Sequence, residues 1–478
     1  MKVIVVGCGK IGYAIAKKLS DEKEIDVTMV DSDPDIIDSI VESIDIMSVN
    51  GNGLHEKTLI EAGVPGSDLL VAVTNADEVN ILCCIMAKHL GVKHTIARIR
   101  NPEYAFEFQQ LWKELGIDVV INPEMQSAGE ISRLLRYPAA SGLDTFVGGR
   151  VELVSLRVSE APDYFVGKSL ASVISKKMEI LLAVVERNRE MLIPGGDFVF
   201  ETQDIIRILG RPPSIMHFLS HIKKRPEKPK EITIIGGSRI AYYLAELLNR
   251  QTLKANIKII EKDKEKCERL SESLRLSNRR CLVIHGDGTN EEFLLSENID
   301  QADAVISLTD RDEENVVISL YSMRIGVKKV ITKVNHINQD IIKSLGLDSI
   351  ATPHDISSDF VVRHTKRLMG ARGNNIRTMY KVLGNNENSI TAIEFHVNKK
   401  AGFLDVPIMD LHLKKEMLIG CIVRKNQILI PSGETRIQVD DDVVVFARNA
   451  IIRELSDILT GMEDILVERN ELAEFNLR

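Results

Sequence analysis

Short runs of β-branched and aliphatic residues alternate along this chain with longer segments in which apolar residues recur every three or four positions. The first kind reads as a strand buried on both faces and the second as a helix with one apolar stripe. Their regular alternation is the signature of βαβ units in a parallel sheet. The predicted strands of the N-terminal part are residues 3–6, 26–30, 46–49, 69–73, 95–98 and 119–121. Ile11, Ala14, Ile15 and Leu19 share one face of the first intervening helix, and Val79, Leu82, Cys83 and Met86 share one face of a later one. After Asn122-Pro123 the period changes: residues 124–135 predict a helix that leaves the sheet, and a small strand-rich module opens near Val151.

The whole arrangement then repeats. Val3-Ile4-Val5-Val6-Gly7-Cys8-Gly9-Lys10-Ile11-Gly12 is answered by Ile232-Thr233-Ile234-Ile235-Gly236-Gly237-Ser238-Arg239-Ile240-Ala241. Asn50-Gly51-Asn52-Gly53 is answered by His285-Gly286-Asp287-Gly288, and Thr74-Asn75-Ala76-Asp77-Glu78 by Thr309-Asp310-Arg311-Asp312-Glu313. The small module repeats too, with Ile193-Pro194-Gly195 echoed in Ile430-Pro431-Ser432-Gly433. The fold class is therefore α/β, with two tandem Rossmann-like parallel-sheet lobes, each followed by a small α+β C-lobe. The expected boundaries are a first Rossmann lobe over 1–124, a crossover helix over 125–145, a C-lobe over 146–212 and a linker over 213–230. A second Rossmann-like lobe over 231–354, crossover helices over 355–384, a C-lobe over 385–449 and a C-terminal helix over 450–478 follow.

Composition narrows the class. A chain of 478 residues with 44% hydrophobic content has room for several real cores, and no run of 18 apolar residues marks a membrane span. Six scattered cysteines make neither a disulfide framework nor C-x-x-C zinc pairs, which fits a reducing, cytoplasmic setting. The net charge of −8 argues against a nucleic-acid partner. The basic, proline-containing segment at 221–230 reads as a solvated linker.

Candidate chemistry centres on Gly7-x-Gly9-x-x-Gly12 between a strand and a helix, the dinucleotide fingerprint in its expected context. Gly7 permits the tight turn, Gly9 admits the pyrophosphate, Gly12 lets helix and strand approach, and the first helical amides hold phosphate. Cys8, Lys10 and Ile11 complete that loop. Asp31, ending the second strand, accepts from the ribose hydroxyls and so selects a free 2′-hydroxyl, which means NAD(H) or an adenine nucleotide rather than NADP. Asn52, Thr74, Asn75 and Arg98 lie at other strand ends and line the same crevice, with Arg98, and Arg100 beside it, as phosphate partners. The second copy offers Gly236, Gly237, Ser238, Arg239, Ile240 and Glu261. There Ser238 and Ala241 replace two glycines, so a dinucleotide in the same pose is not expected. ATP or ADP is an alternative ligand at the same or the second site.

No catalytic set accompanies these loops: His55 reads as a helix-start residue, Cys8 as a small residue tolerated in the loop, and Cys83-Cys84 as core. No metal constellation is expected either. A non-enzymatic regulator therefore leads, with an NAD-dependent oxidoreductase of unidentified substrate as the alternative. A redox-sensing repressor would require a basic helix-turn-helix that this sequence lacks.

With these motifs in place, the chain resembles the TrkA-type potassium-uptake regulatory subunits built from tandem RCK (KTN) units, each an N lobe plus a C lobe. The resemblance rests on residues 5–12, on Gly51-Asn52-Gly53, on residues 68–74, on Ala97-Arg98, on the two C-lobe turns and on the lobe order, and covers essentially the whole chain. It implies NAD(H) or ATP/ADP at the first lobe through Gly7, Gly9, Gly12, Asp31, Thr74 and Arg98. It further implies a ring, a homotetramer carrying eight RCK units, docked from the cytoplasmic face on a Trk-type potassium-translocating membrane subunit.

Overall fold

Six parallel strands follow the predicted order closely: β1 (Lys2–Val6), β2 (Asp26–Asp31), β3 (Met47–Asn50), β4 (Leu69–Ala72), β5 (His94–Arg98) and β6 (Val119–Ile121). They lie in the order β3-β2-β1-β4-β5-β6, so the sheet reverses direction between β1 and β4, where a doubly wound fold places its ligand crevice. Helices α1 (Lys10–Ser20), α2 (Pro34–Ser43), α3 (Glu56–Glu61) and α4 (Asp77–His89) connect them. Leu69, Leu70, Val71 and Ala72 are fully buried, as expected of a central strand covered on both faces.

This computed structural model describes residues 1–22, 24–101, 104, 109–175, 178–188, 190–222, 229–250, 255–275, 280–335, 337, 339–347, 349–370, 376–383, 389–397, 403–425, 427–448, 452 and 455–460. A five-stranded antiparallel sheet follows the first lobe, made of β7 (Ala140–Phe146), β8 (Val151–Arg157), β9 (Ile180–Arg187), β10 (Glu190–Leu192) and β11 (Ile205–Gly210), in the order β10-β9-β11-β8-β7. The second Rossmann-like sheet contains β12 (Glu231–Ile235), β13 (Asn256–Glu261), β14 (Cys281–His285), β15 (Ala304–Ser307), β16 (Lys329–Lys333) and β17 (Ile350–Ala351), again with the reversal beside its first strand. The last sheet, β18 (Ile376–Leu383), β19 (Ile390–His396), β20 (Met417–Arg424), β21 (Gln427–Leu429) and β22 (Asp442–Arg448), repeats the C-lobe topology. One buried aspartate clamps the closing turn of each C-lobe. Asp204 takes two 2.7 Å bonds from Arg187, and Asp441 takes bonds of 2.9 and 2.8 Å from Arg424.

The elements differ from the sequence reading in three places. Residues 140–145, read as part of the crossover helix, belong to edge strand β7, whose buried positions Ala140, Leu143 and Phe146 do not alternate and so hide the strand period. Residues 376–383, read as crossover helix, pair with β19; the crossover itself is the single helix Pro353–Gly370. The stretch read as linker begins with a helix, Pro212–His221, that opens on two prolines and buries Ile215, Phe218 and Leu219 at helical spacing. The predicted C-terminal helix lies mostly outside the described residues. Within them, Leu455–Ile458 forms one 3₁₀ turn that buries Leu455 and Ile458 in the second C-lobe.

Tertiary contacts regroup the lobes. Residues 1–135 and 229–365 form one compact unit, the two Rossmann lobes together, and residues 136–228 and 366–478 form the other. In the second unit the two C-lobe sheets share one core, Leu153, Val184 and Leu209 packing with Ile390, Cys421 and Val444, while Phe146 meets Phe446 edge to face at 6.1 Å.

Candidate functional site

In the first lobe the chain leaves β1 at Gly7 with φ +98°, where a Cβ would come within 2.8 Å of the Thr74 amide nitrogen. A Cβ on Gly12 would stand 1.9 Å from the Gly7 carbonyl oxygen, so this glycine is required by the fold itself. Gly9 is different, because a Cβ there meets no atom within 4 Å. No contact within the protein demands glycine at Gly9. Gly9 also caps α1 without a side-chain bond, so no cap side chain occupies the helix start.

The neighbouring strand ends are tied to this loop. Asp31 accepts from the Cys8 amide at 2.6 Å and from the Asp33 amide at 3.1 Å. The acid is therefore first of all the brace of the phosphate loop, with lone pairs left over for a ribose. Burial and the nearby Asp31 carboxylate push the Cys8 thiol up to about 12, so it stays protonated at neutral pH. Asn52 folds its own turn by accepting from the Leu54 amide at 2.9 Å, and the Asn75 carbonyl accepts from the Arg100 guanidinium. Lys10 and Ile11 open α1, Ile11 buried and Lys10 exposed.

Two residues outside the predicted set organise the crevice. Asn80, fully buried, accepts from the Thr74 amide at 2.7 Å and donates to the Arg98 carbonyl at 2.9 Å, which stitches the ends of β4 and β5 together. Asp77 accepts from the amides of Arg100 and Asn101 at 2.8 Å each. The second lobe repeats both devices: Asn315 joins Thr309 to Lys333, and Asp312 holds the Asn335 amide. The alignment of the two copies contains this signal, since Thr, Asp, Glu and Asn recur at the same spacing from Thr74 and from Thr309.

The second loop is built alike and lined differently. Gly236 has φ +102°, and Glu261 accepts from the Gly237 amide at 2.7 Å and the Asp263 amide at 2.8 Å, as Asp31 does in the first copy. A Cβ on Gly237 would come within 2.9 Å of the Glu261 carboxylate. Where Gly9 is bare, Ser238 turns its hydroxyl oxygen to the Ala241 amide at 3.4 Å and occupies one of the helix-start donors.

A cavity of about 1060 Å³ opens at this second loop, and the first lobe contributes to its wall. Of the predicted residues, Lys10, Ile11, Arg98, Gly236, Gly237, Ser238, Arg239, Ile240 and Glu261 line it. Gly7, Cys8, Gly9, Gly12, Asp31, Asn52, Thr74 and Asn75 do not; they stand around the first lobe's own sheet edge. The starts of α1 and of the helix Arg239–Arg250 thus share one chamber. Eight Lys and Arg residues against five Asp and Glu line it, a positive interior in an acidic protein.

Arg98 marks the anion character most clearly. It is half-buried and its Nε has no hydrogen-bond partner among the described residues. Its pKa is drawn below the ordinary arginine value by burial, with Arg100 and Arg239 adding to the effect and Glu124 and Asp77 opposing it. Lys333, its counterpart, is likewise lowered by burial and donates to the Thr309 carbonyl at 3.0 Å. Tyr243, on the second fingerprint helix, reaches the first lobe. Its hydroxyl accepts from Asn122 Nδ2 at 2.8 Å and donates to the Arg100 carbonyl at 2.9 Å, just beyond Arg98.

Comparison with known proteins agrees with this architecture throughout the chain. The TrkA-N domain matches residues 3–123 and 232–353, and the TrkA-C domain matches 153–223 and 392–460. The chain is 33% identical over 459 residues to the Trk system potassium uptake protein TrkA homolog of Archaeoglobus fulgidus, covering 96% of this chain and 100% of that one. It is 30% identical to the Trk system potassium uptake protein TrkA of Vibrio alginolyticus, covering 94% and 96%. Among solved structures, the GsuK channel bound to NAD superposes with a TM-score of 0.60 at 18% identity, covering 93% of this chain and 76% of that one. The GsuK RCK domain superposes with 0.59 at 17% identity, covering 93% and 92%. These likenesses are of fold.

Proposed function

The chain belongs to the TrkA family, and from that premise we propose that it is a nucleotide-sensing regulatory subunit that gates a Trk-type potassium-translocating membrane partner. The observation that carries the reading is the pair of fingerprint loops whose helix starts, Lys10 and Arg239, face one positively charged chamber. Charge arriving on a ligand is felt by both lobes at once, and a nucleotide shifts the equilibrium of the whole unit by as much as its affinity differs between two arrangements. A hundredfold difference supplies about 2.7 kcal/mol. The first lobe, with its bare Gly9 and its Asp31 acceptor, is assigned NAD(H). The second, with Ser238 closing one amide, is assigned an adenine nucleotide in another pose. The named neighbours include a channel bound to NAD, which supports the first assignment.

A ring is the natural assembly for such a sensor, and the exposed apolar residues favour it. Ile60, Leu82 and Leu111 of the first lobe recur as Leu295, Val317 and Ile341 at matching helix positions of the second. Two lobes with one surface pattern tile as a symmetric oligomer, here a homotetramer of eight RCK units. No helix among the described residues is long and apolar enough to cross a membrane. We place the subunit at the cytoplasmic face of its membrane partner, as a ligand-binding regulator.

The direct test is potassium flux into proteoliposomes holding the membrane partner, with this chain added and NADH, NAD, ATP or ADP supplied in turn. Flux must respond to at least one nucleotide and lose that response when the first loop is altered. Identical flux with and without the chain under all four ligands defeats the proposal.

A further inference from the structure

We propose that the second Rossmann-like lobe selects a nucleotide phosphorylated on its ribose, at the 2′ or 3′ oxygen, as well as on its 5′ oxygen. The inference rests on the reading of that lobe as a nucleotide site. The two copies of one design provide an internal comparison. After Asp31 the first lobe runs Ser32-Asp33-Pro34-Asp35-Ile36-Ile37-Asp38-Ser39, without a single cation. After Glu261 the second runs Lys262-Asp263-Lys264-Glu265-Lys266-Cys267-Glu268-Arg269. Lys266, Arg269 and Ser273 share one face of the helix Lys264–Arg275, and with Lys262 they line the cavity beside Glu261.

In a doubly wound sheet the end of the second strand faces the adenosine ribose, where a free hydroxyl needs only an acceptor and a ribose phosphate needs cations. Three are present. Lys262 is held by Asp287 at 2.7 Å, Lys266 reaches Asp310 only at 4.0 Å, and Arg269 forms no ion pair with a described residue. The Glu261 carboxylate accepts one backbone amide on each oxygen, as Asp31 does, so the two lobes differ here by the added cations and not by the acid. Ser238 obstructs a dinucleotide pyrophosphate, which leaves a mononucleotide bisphosphate as the ligand class.

The test is calorimetry at low ionic strength on the full chain carrying Gly9→Trp, which fills the first lobe's ligand space, with 2′,5′-ADP, 3′,5′-ADP and 5′-AMP as probes. One bisphosphate binds at least about tenfold more tightly than 5′-AMP. Adding Lys266→Ala and Arg269→Ala, both exposed, brings the ratio of bisphosphate to 5′-AMP affinity to about one, whatever the common loss of phosphate attraction. Whichever bisphosphate wins assigns the phosphate to the 2′ or the 3′ oxygen. Binding of 5′-AMP with no bisphosphate preference, or a preference that survives the double substitution, overturns the inference. Failure of all three probes to bind overturns the nucleotide-site reading of this lobe and the inference with it. NADH binding by the unaltered first lobe is read separately and bears on neither.

Discussion

Gly9→Ala and Gly12→Ala, two methyl groups added to one loop, are expected to fail in opposite ways. At Gly12 the new Cβ would lie 1.9 Å from the Gly7 carbonyl oxygen and 3.0 Å from its carbon, and backbone atoms of a braced turn have nowhere to go. Overpacking against an unyielding partner costs about 3 kcal/mol, roughly 6–12 °C in Tm for a unit of this size. At Gly9 the Cβ meets nothing within 4 Å, and the backbone, at φ −63°, is one any residue adopts. Stability should hold or rise by about 0.5 kcal/mol through the stiffer unfolded chain. The methyl nevertheless occupies the approach of the phosphates to the α1 amides. Loss of one charge-assisted bond of about 2 kcal/mol weakens NADH roughly thirtyfold. Calorimetric unfolding and NADH fluorescence titration on the same preparations separate the two. Wild-type NADH affinity in Gly9→Ala would remove the loop from the ligand site, and a Tm loss equal to that of Gly12→Ala would refute the reading of Gly9 as free of protein contacts.

Further expectations follow from the same geometry. Arg98→Met should leave the unfolding free energy within about 1 kcal/mol of wild type, because a half-buried cation whose Nε has no partner among the described residues gives up desolvation cost, yet nucleotide affinity should fall, and the deficit should shrink as salt rises; salt-independent affinity loss contradicts this. Tyr243→Phe removes the bonds to Asn122 and the Arg100 carbonyl at nearly constant volume and should cost about 1–2 kcal/mol in urea unfolding; an unchanged midpoint would deny the cross-lobe contact any weight. Asp204→Ala and Asp441→Ala should each destabilise in urea unfolding, Asp441→Ala by about 3 kcal/mol and Asp204→Ala by less, since Arg187 keeps its pair with Glu201 at 2.7 Å; equal losses would contradict this. Burial pushes the thiols of Cys8, Cys83, Cys281 and Cys421 up to about 12, from an ordinary 9.0. The folded state keeps protons that the unfolded chain releases, so this contribution is complete below pH 9 and is lost as pH rises from 9 toward 12; a Tm flat between pH 8 and 10.5 would be inconsistent with it.

Much of the molecule was readable in one dimension because its signals are local. A strand buried on both faces announces itself by β-branched runs, and the six strands of the first lobe fall within a residue or two of prediction. The elements that escaped are those whose identity comes from a neighbour: edge strand β7 lacks alternation, and β18 is a strand through its pairing with β19. Asn80 and Asp77 escaped because an Asn or Asp after a strand also reads as an ordinary turn or cap residue; only their bonds to Thr74, Arg98 and Arg100 reveal the stitch.

The sequence by itself determined the duplicated lobes, the glycine loops, the acids that end each second strand and the difference between Gly9 and Ser238, since each is a matter of residue type at a fixed spacing. It ordered the lobes as N, C, N, C. Only the tertiary structure decided that like joins like, Rossmann lobe with Rossmann lobe and C-lobe with C-lobe, because the contacts involved, an apolar core between the C-lobes and polar bonds such as Tyr243 to Asn122 between the Rossmann lobes, join segments far apart in the chain. That pairing brings Arg98 and Lys10 of one lobe to the glycine loop of the other and makes a shared positive chamber that neither fingerprint encodes alone.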